Sequence, residues 1–214
     1  MFRYTQFLVA LLTFWLFTGC GEPDPVNNVR NIYKGIVIDV NDNPVPNENI
    51  TISGDGERII ASAITDSDGK YEVVGFTYGN YFELSSGTAT DARYFLNYNE
   101  TPKGIELEFP PLLSSQITSL DLQILNNSGN SLSVNFKYLG TFCFKEFLNN
   151  IEQEFSSCYE EINEVRIFES AEAAFSLSSP RGSDITVEIT DGVNTQIETI
   201  TLDQRFQNEI ITFN

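Results

Sequence analysis

Apolar and polar residues alternate with a period of two along short stretches of most of this 214-residue chain, the pattern of half-buried strands. In the first half Ile36, Ile38 and Val40 alternate around Val37 and Asp39, and Asn41-Asp42-Asn43-Pro44 closes the run with turn formers. Ile50 and Ile52 repeat the alternation, a third strand runs from about Arg58 to Thr65, and Asp66-Ser67-Asp68-Gly69 turns into Tyr71 and Val73. A further strand follows Gly79 with Tyr81, Phe82 and Leu84. The second half continues with Leu120, Leu122 and Ile124, then Leu132, Val134 and Phe136, joined by a Gly-containing loop at 126–130. Val165 and Ile167, Phe175 and Leu177, then Ile185, Val187 and Ile189 extend it, and Asp191-Gly192 marks a hairpin. The pattern predicts an all-β protein of two antiparallel β-sandwich domains. The small polar run Ser86 to Thr90 sets the boundary, giving 31–88 for the first and 89–214 for the second, Ig-like or similar.

One stretch breaks the alternation. Phe144, Leu148, Ile151, Phe155, Cys158 and Ile162 recur at three and four, which predicts a short helical insertion near 144–162. A continuous helix would hold Cys143 and Cys158 about 22 Å apart, whereas a disulfide needs Cα atoms roughly 4.4 to 6.8 Å apart. A shorter helix, about Lys145 to Phe155, that doubles back at Ser156-Ser157 satisfies both, and an exported chain favours the Cys143–Cys158 bond.

Export is read from the N-terminus. Arg3, an apolar run from Phe7 to Phe17 too short to span a bilayer, and Phe17-Thr18-Gly19-Cys20 have the layout of a secretory signal over 1–19. Thr18-Gly19-Cys20 resembles the lipobox of bacterial lipoproteins, departing at Phe17 where leucine is usual. That resemblance implies lipidation of Cys20, with 20–30 as a Pro-bearing acidic tether. Gly21, rather than Asp, after the cysteine favours the outer membrane, and Glu22 and Asp24 resemble surface-export signals of some lipoproteins.

Within the first domain Gly35-x-Val37-x-Asp39, Pro44-Val45-Pro46, Ile50-x-Ile52, Thr65-Asp66-x-Asp68-Gly69-x-Tyr71 and Phe76-x-x-Gly79-x-Tyr81-x-x-Leu84 follow in order. This succession resembles the carboxypeptidase regulatory-like domain. The resemblance implies a transthyretin (prealbumin)-like sandwich, used as an accessory module and without catalytic residues of its own.

Composition narrows the chemistry. With 12 Lys plus Arg against 30 Asp plus Glu the net charge is −18, which repels phosphate backbones and argues against nucleic acid. The chain has no histidine, which excludes Ser-His-Asp and Cys-His nucleophilic machinery and His-based zinc sites. Asp66-x-Asp68-Gly69 lacks the preceding oxygen ligand of a calcium loop, Ile64 standing there, and reads as a turn. No catalytic residue, metal or cofactor is expected. Tyr78, Tyr81, Tyr94 and Tyr98 are candidate ligand-binding residues, since exposed rings offer flat apolar faces to sugars, with burial in a strand or domain contact as the competing reading. The expected function is a non-enzymatic outer-membrane lipoprotein, membrane-bound through its anchor, with a glycan or an envelope protein as partner. The alternatives are a carbohydrate-binding surface lipoprotein and, less favoured, a glycoside hydrolase using paired carboxylates.

Overall fold

A computed structural model describes residues 30–54, 58–76, 79–87, 92–100 and 106–214. The described residues form strands and connections and contain no helix. The first strands are β1 (Arg30–Ile38), β2 (Asn49–Gly54), β3 (Arg58–Ile64), β4 (Lys70–Phe76), β5 (Tyr81–Ser86), β6 (Ala92–Asn97), β7 (Glu106–Glu108) and β8 (Leu112–Leu113). They are followed by β9 (Ile117–Asn126), β10 (Leu132–Leu139), β11 (Cys143–Leu148), β12 (Ile151–Glu152) and β13 (Ser157–Cys158). The chain closes with β14 (Glu161–Phe168), β15 (Glu172–Pro180), β16 (Asp184–Thr190), β17 (Thr195–Thr201) and β18 (Phe206–Phe213).

Alternation does what it must in each strand. Ile50 and Ile52 of β2 and Phe82 and Leu84 of β5 are fully buried while their neighbours face out. They lie in the sheet β12-β11-β6-β5-β2-β3, which packs on the sheet β4-β1-β7, with β8 also paired to β1. Here Tyr71 lies opposite Gly35. A Cβ at 35 would stand 2.5 Å from the Tyr71 hydroxyl oxygen, so the ring fits only over glycine. The second sandwich packs β14-β10-β16-β17 on β15-β9-β18 around Leu122, Phe136 and Val187. Among the described residues four strand pairs are parallel, β1 with β7 and with β8, β6 with β11, and β9 with β18, so both sandwiches are mixed. Each such pair joins strands whose connection leaves the sheet and returns.

Two expectations are corrected. The first core does not stop at residue 88. β6 pairs with β5 across the small polar run, and Phe109, Leu112, Cys143 and Phe147 fill the same interior. Small polar residues there mark a connection between paired strands, not a linker. Nor is 144–162 helical. Asn149 and Asn150 both adopt positive φ, 50° and 64°, which bends β11 back on β12 with Leu148 opposite Ile151. Two successive left-handed residues suit a tight hairpin and end any helix. The predicted apolar face is dispersed, with Ile151 and Phe155 exposed, and Phe147, which lies outside that face, is the ring that is buried. The hairpin brings Cys143 opposite Cys158, and the two are disulfide-bonded.

The excursion β11–β13 leaves the second sandwich and adds to the first, so the chain passes between the two cores three times, at 114–116, 140–142 and 159–160. The crossings bind one another. Ser115 accepts from the Val40 amide at its Oγ (3.1 Å), and its own amide donates to the Tyr159 hydroxyl (3.0 Å). Asn41 donates to the Gly182 carbonyl at 3.0 Å, and Arg181 donates to the Gln116 side chain (2.9 Å) and the Asp203 carbonyl (2.8 Å).

Candidate functional site

The three candidate tyrosines among the described residues, Tyr81, Tyr94 and Tyr98, do not assemble into one platform. Tyr78 and Cys20 lie outside the described residues. Tyr94 points inward from β6 and is 1% exposed, its ring 5.7 Å from Phe147 and its hydroxyl accepting the Leu113 amide at 3.0 Å. Burial pushes its phenol well above the ordinary value. Tyr98 is half-buried, sets its ring edge-on to Phe82 at 6.1 Å and donates to Asn150 Oδ1 at 3.3 Å. Its pKa is also raised by burial. Tyr81 alone of the three described rings stands on the outer face of the sheet.

There it begins a different row. Tyr81 on β5, Phe95 on β6 and Phe144 on β11 succeed one another at 5.7 and 5.2 Å between ring centres, and Phe142 continues at 6.3 Å. Tyr81, Phe95 and Phe144 occupy outward positions of their strands, and Phe142, just before β11, is 56% exposed. Arg93 and Glu83 flank the row with a 3.7 Å ion pair. The signal was in the alternation: Phe95 sits between inward Tyr94 and Leu96, which sends it to the other face. The rings of β11 were hidden by the helical reading of their segment.

A second candidate surface follows from strand direction. β1 runs from Arg30 toward the junction, where Ile38 accepts the Ser114 amide at 2.9 Å. β9 starts beside that junction and runs away from it. The loops at 127–131 and 191–194, with the chain end at Asn214, therefore lie at the end of the second sandwich away from the junction. These loops are bound to each other: Asn130 donates to Asp191 Oδ2 (3.1 Å) and Asn127 to Asn214 Oδ1 (3.1 Å). Asp191 Oδ1 accepts the amides of Val193 (2.9 Å) and Asn194 (2.7 Å). The Asn194 and Val193 amides, then the Asn130 side chain, hold the Asp191 carboxyl below its ordinary value. Val193 at the tip is 86% exposed, above a rim of amides and hydroxyls.

Other polar clusters are structural. Glu48 is 2% exposed and accepts hydrogen bonds from Ser86 and, at 3.2 Å, from Ser114, so its carboxylate is enclosed by hydroxyls away from solvent. Asp66 Oδ1 accepts the Asp68 and Lys70 amides, each at 2.9 Å, the bonding of a turn. Lys34 pairs with Glu106 at 2.7 Å on an exposed strand face, and that hydrogen bond, with the charges of Glu106, Glu108 and Glu72, raises its pKa. Among the described residues no three Cys, Asp or Glu side chains cluster as metal ligands.

No protein-family model matches the chain, and no curated protein matches its sequence. Among solved structures it is similar to the Bacillus anthracis TIE protein, at 16% identity over 86% of this chain and TM-score 0.33. The chain spans 33% of that protein's length. It is also similar to a DUF3823 family protein from Parabacteroides merdae, at 10% identity over 83% of this chain and all of the other, TM-score 0.29. The major pilin subunit of Bacillus cereus gives 11% identity over 81% and 69% of the two chains, with TM-score 0.29. Superpositions this loose carry no argument about the chain, whose class, an all-β protein of two β-sandwiches, rests on its own strand pairing.

Proposed function

We propose that this chain is a non-enzymatic lipoprotein of the cell envelope, anchored in the outer membrane through Cys20 and facing outward. Its first sandwich, resembling the carboxypeptidase regulatory-like domain, serves as the spacer and its second as the binding head. The observation that carries this reading is strand direction: β1 runs from Arg30, where the tether ends, to the junction, and β9 runs from the junction toward the loops at 127–131 and 191–194. At about 3.3 Å per residue, β1 with 9 residues and β9 with 10 each span about 30 Å, one along the spacer and one along the head. Rigid sheets presenting polar loops suit recognition of a glycan or an envelope protein. The threefold crossing between cores serves the same role, because a spacer that hinges does not hold its head away from the membrane. Cell fractionation tests the anchor. The unaltered chain is expected in the outer-membrane fraction and Cys20→Ala in the soluble fraction, whereas equal distribution of the two would overturn the anchored reading.

A second reading is favoured by the ring row Tyr81–Phe95–Phe144–Phe142. Its spacing suits successive sugar rings, with Glu83 and Arg93 placed for hydroxyls. In this reading the protein captures carbohydrate on the side of the spacer instead of at the tip. Glycan-array binding lost in Phe144→Ala and retained when 191–194 is altered would select it; the reverse would select the tip.

A further inference from the structure

Strand β14 ends the sheet β14-β10-β16-β17 and pairs with β10 alone among the described residues. Its second edge therefore presents unpaired backbone groups along eight residues, the template for adding another strand. Such edges are ordinarily blunted by charge or short length. This one is long, and it displays Val165 at 60%, Ile167 at 72% and Ile162 at 37% exposure. Its two innermost charges are of opposite sign: Arg166 bonds Glu164 at 2.7 Å on the same strand face.

We propose that β14 pairs antiparallel with β14 of a second copy about a two-fold axis at Val165, joining two four-stranded sheets into one of eight. The charges select this register. Directly opposite residues must share a face, so the residue on the axis fixes every pair. With Val165 on the axis, Glu164 faces Arg166 of the other copy twice and Ile162 faces Phe168 twice, while the like charges Glu161 and Glu169 meet only at the exposed ends of the ladder, Glu169 lying past the end of β14. Moving the axis to Glu164 or Arg166 places like charges directly opposite, which is destabilising. The other edge of the same sheet offers no such solution. β17 carries Glu198 and no basic residue, so no register of β17 on itself brings opposite charges together. Pairing through the head, with each copy held by its own spacer, also leaves the tip loops of both copies free.

The test uses the full chain in its membrane. On the axis, two Val165 Cα atoms stand about 4.5 to 5.5 Å apart, within disulfide reach. Val165→Cys is expected to give a covalent dimer under mild oxidation, resolved on a non-reducing gel, while Asn163→Cys alone is not, because Asn163 faces Ile167 of the other copy. Arg166→Glu added to Val165→Cys is expected to lower the cross-linked fraction at least about tenfold, as two opposite-charge pairs become like-charge pairs. Glu164→Arg with Arg166→Glu restores it. All these positions are exposed or at the edge, and circular dichroism verifies that each variant folds. Failure of Val165→Cys to cross-link, equal cross-linking by Asn163→Cys, or absence of rescue by the double exchange would each overturn the proposal.

Discussion

Replacing Cys143 and Cys158 together by alanine tests the claim that 143–158 belongs to the first core. The two cysteines are separated by 15 positions and sit in register on paired strands. Closing a loop of that length lowers the unfolded chain's entropy by an amount worth about 3 kcal/mol at room temperature. Alanine is the right replacement because Cys143 is fully buried, and serine would add an unsatisfied hydroxyl. Trp15 is the one tryptophan and lies in the predicted signal, so unfolding is followed by far-ultraviolet circular dichroism in urea. With a slope of about 2 kcal/mol/M, the midpoint is expected to fall by about 1.5 M, and reductant should produce a like shift in the unaltered chain alone. A shift below about 0.3 M would refute the reasoning, since the cross-link would then constrain a segment that adds nothing to the cooperative fold.

Phe147→Ala is expected to cost about 3 to 5 kcal/mol, because its ring fills the first core against Tyr94, whereas Phe142→Ser, 56% exposed, should be near neutral; equal effects in urea unfolding would contradict the hairpin. Gly182→Ala is expected to cost about 1 to 3 kcal/mol, since residue 182 has φ +87° and a Cβ there would meet Asn41 Nδ2 at 2.8 Å; an unchanged midpoint would deny the junction its role. Tyr71 and Tyr94 are held neutral by burial, with folded pKa values above the ordinary 10.0. Their contribution is therefore intact below pH 10 and declines as pH rises beyond it. An ultraviolet titration should show Tyr71 and Tyr94, among the eight tyrosines that follow the predicted signal, ionising only together with alkaline unfolding, and smooth titration of every tyrosine in the folded protein would contradict this.

Strand content and the interior rows were legible because a two-residue period survives any topology: Ile50, Ile52, Leu122 and Val187 all point where their neighbours require. The boundary at 88 was not legible, since small polar residues serve equally in a linker and between paired strands. The helix over 144–162 followed apolar spacing and overlooked Asn149-Asn150, whose tolerance of positive φ makes a hairpin. With a turn at Asn149-Asn150, Cys143 and Cys158 fall opposite without conflict. The candidate site suffered from the same gap. Residue type alone groups Tyr94 with Tyr81, although their positions on paired strands put one in the core and the other outside. The row through Phe95 and Phe144 needed the parallel pairing of β6 with β11, which no local pattern encodes.

The outward-facing head is tested most directly at Val193. The chain has three cysteines. Cys143 and Cys158 are bonded, and Cys20 is the proposed lipid site, so Val193→Cys introduces the single thiol open to modification. Intact cells treated with a membrane-impermeant maleimide are expected to label Val193→Cys as fully as cells whose outer membrane has been opened. Labelling that occurs only after the outer membrane is opened would contradict the account and place the head inside the envelope.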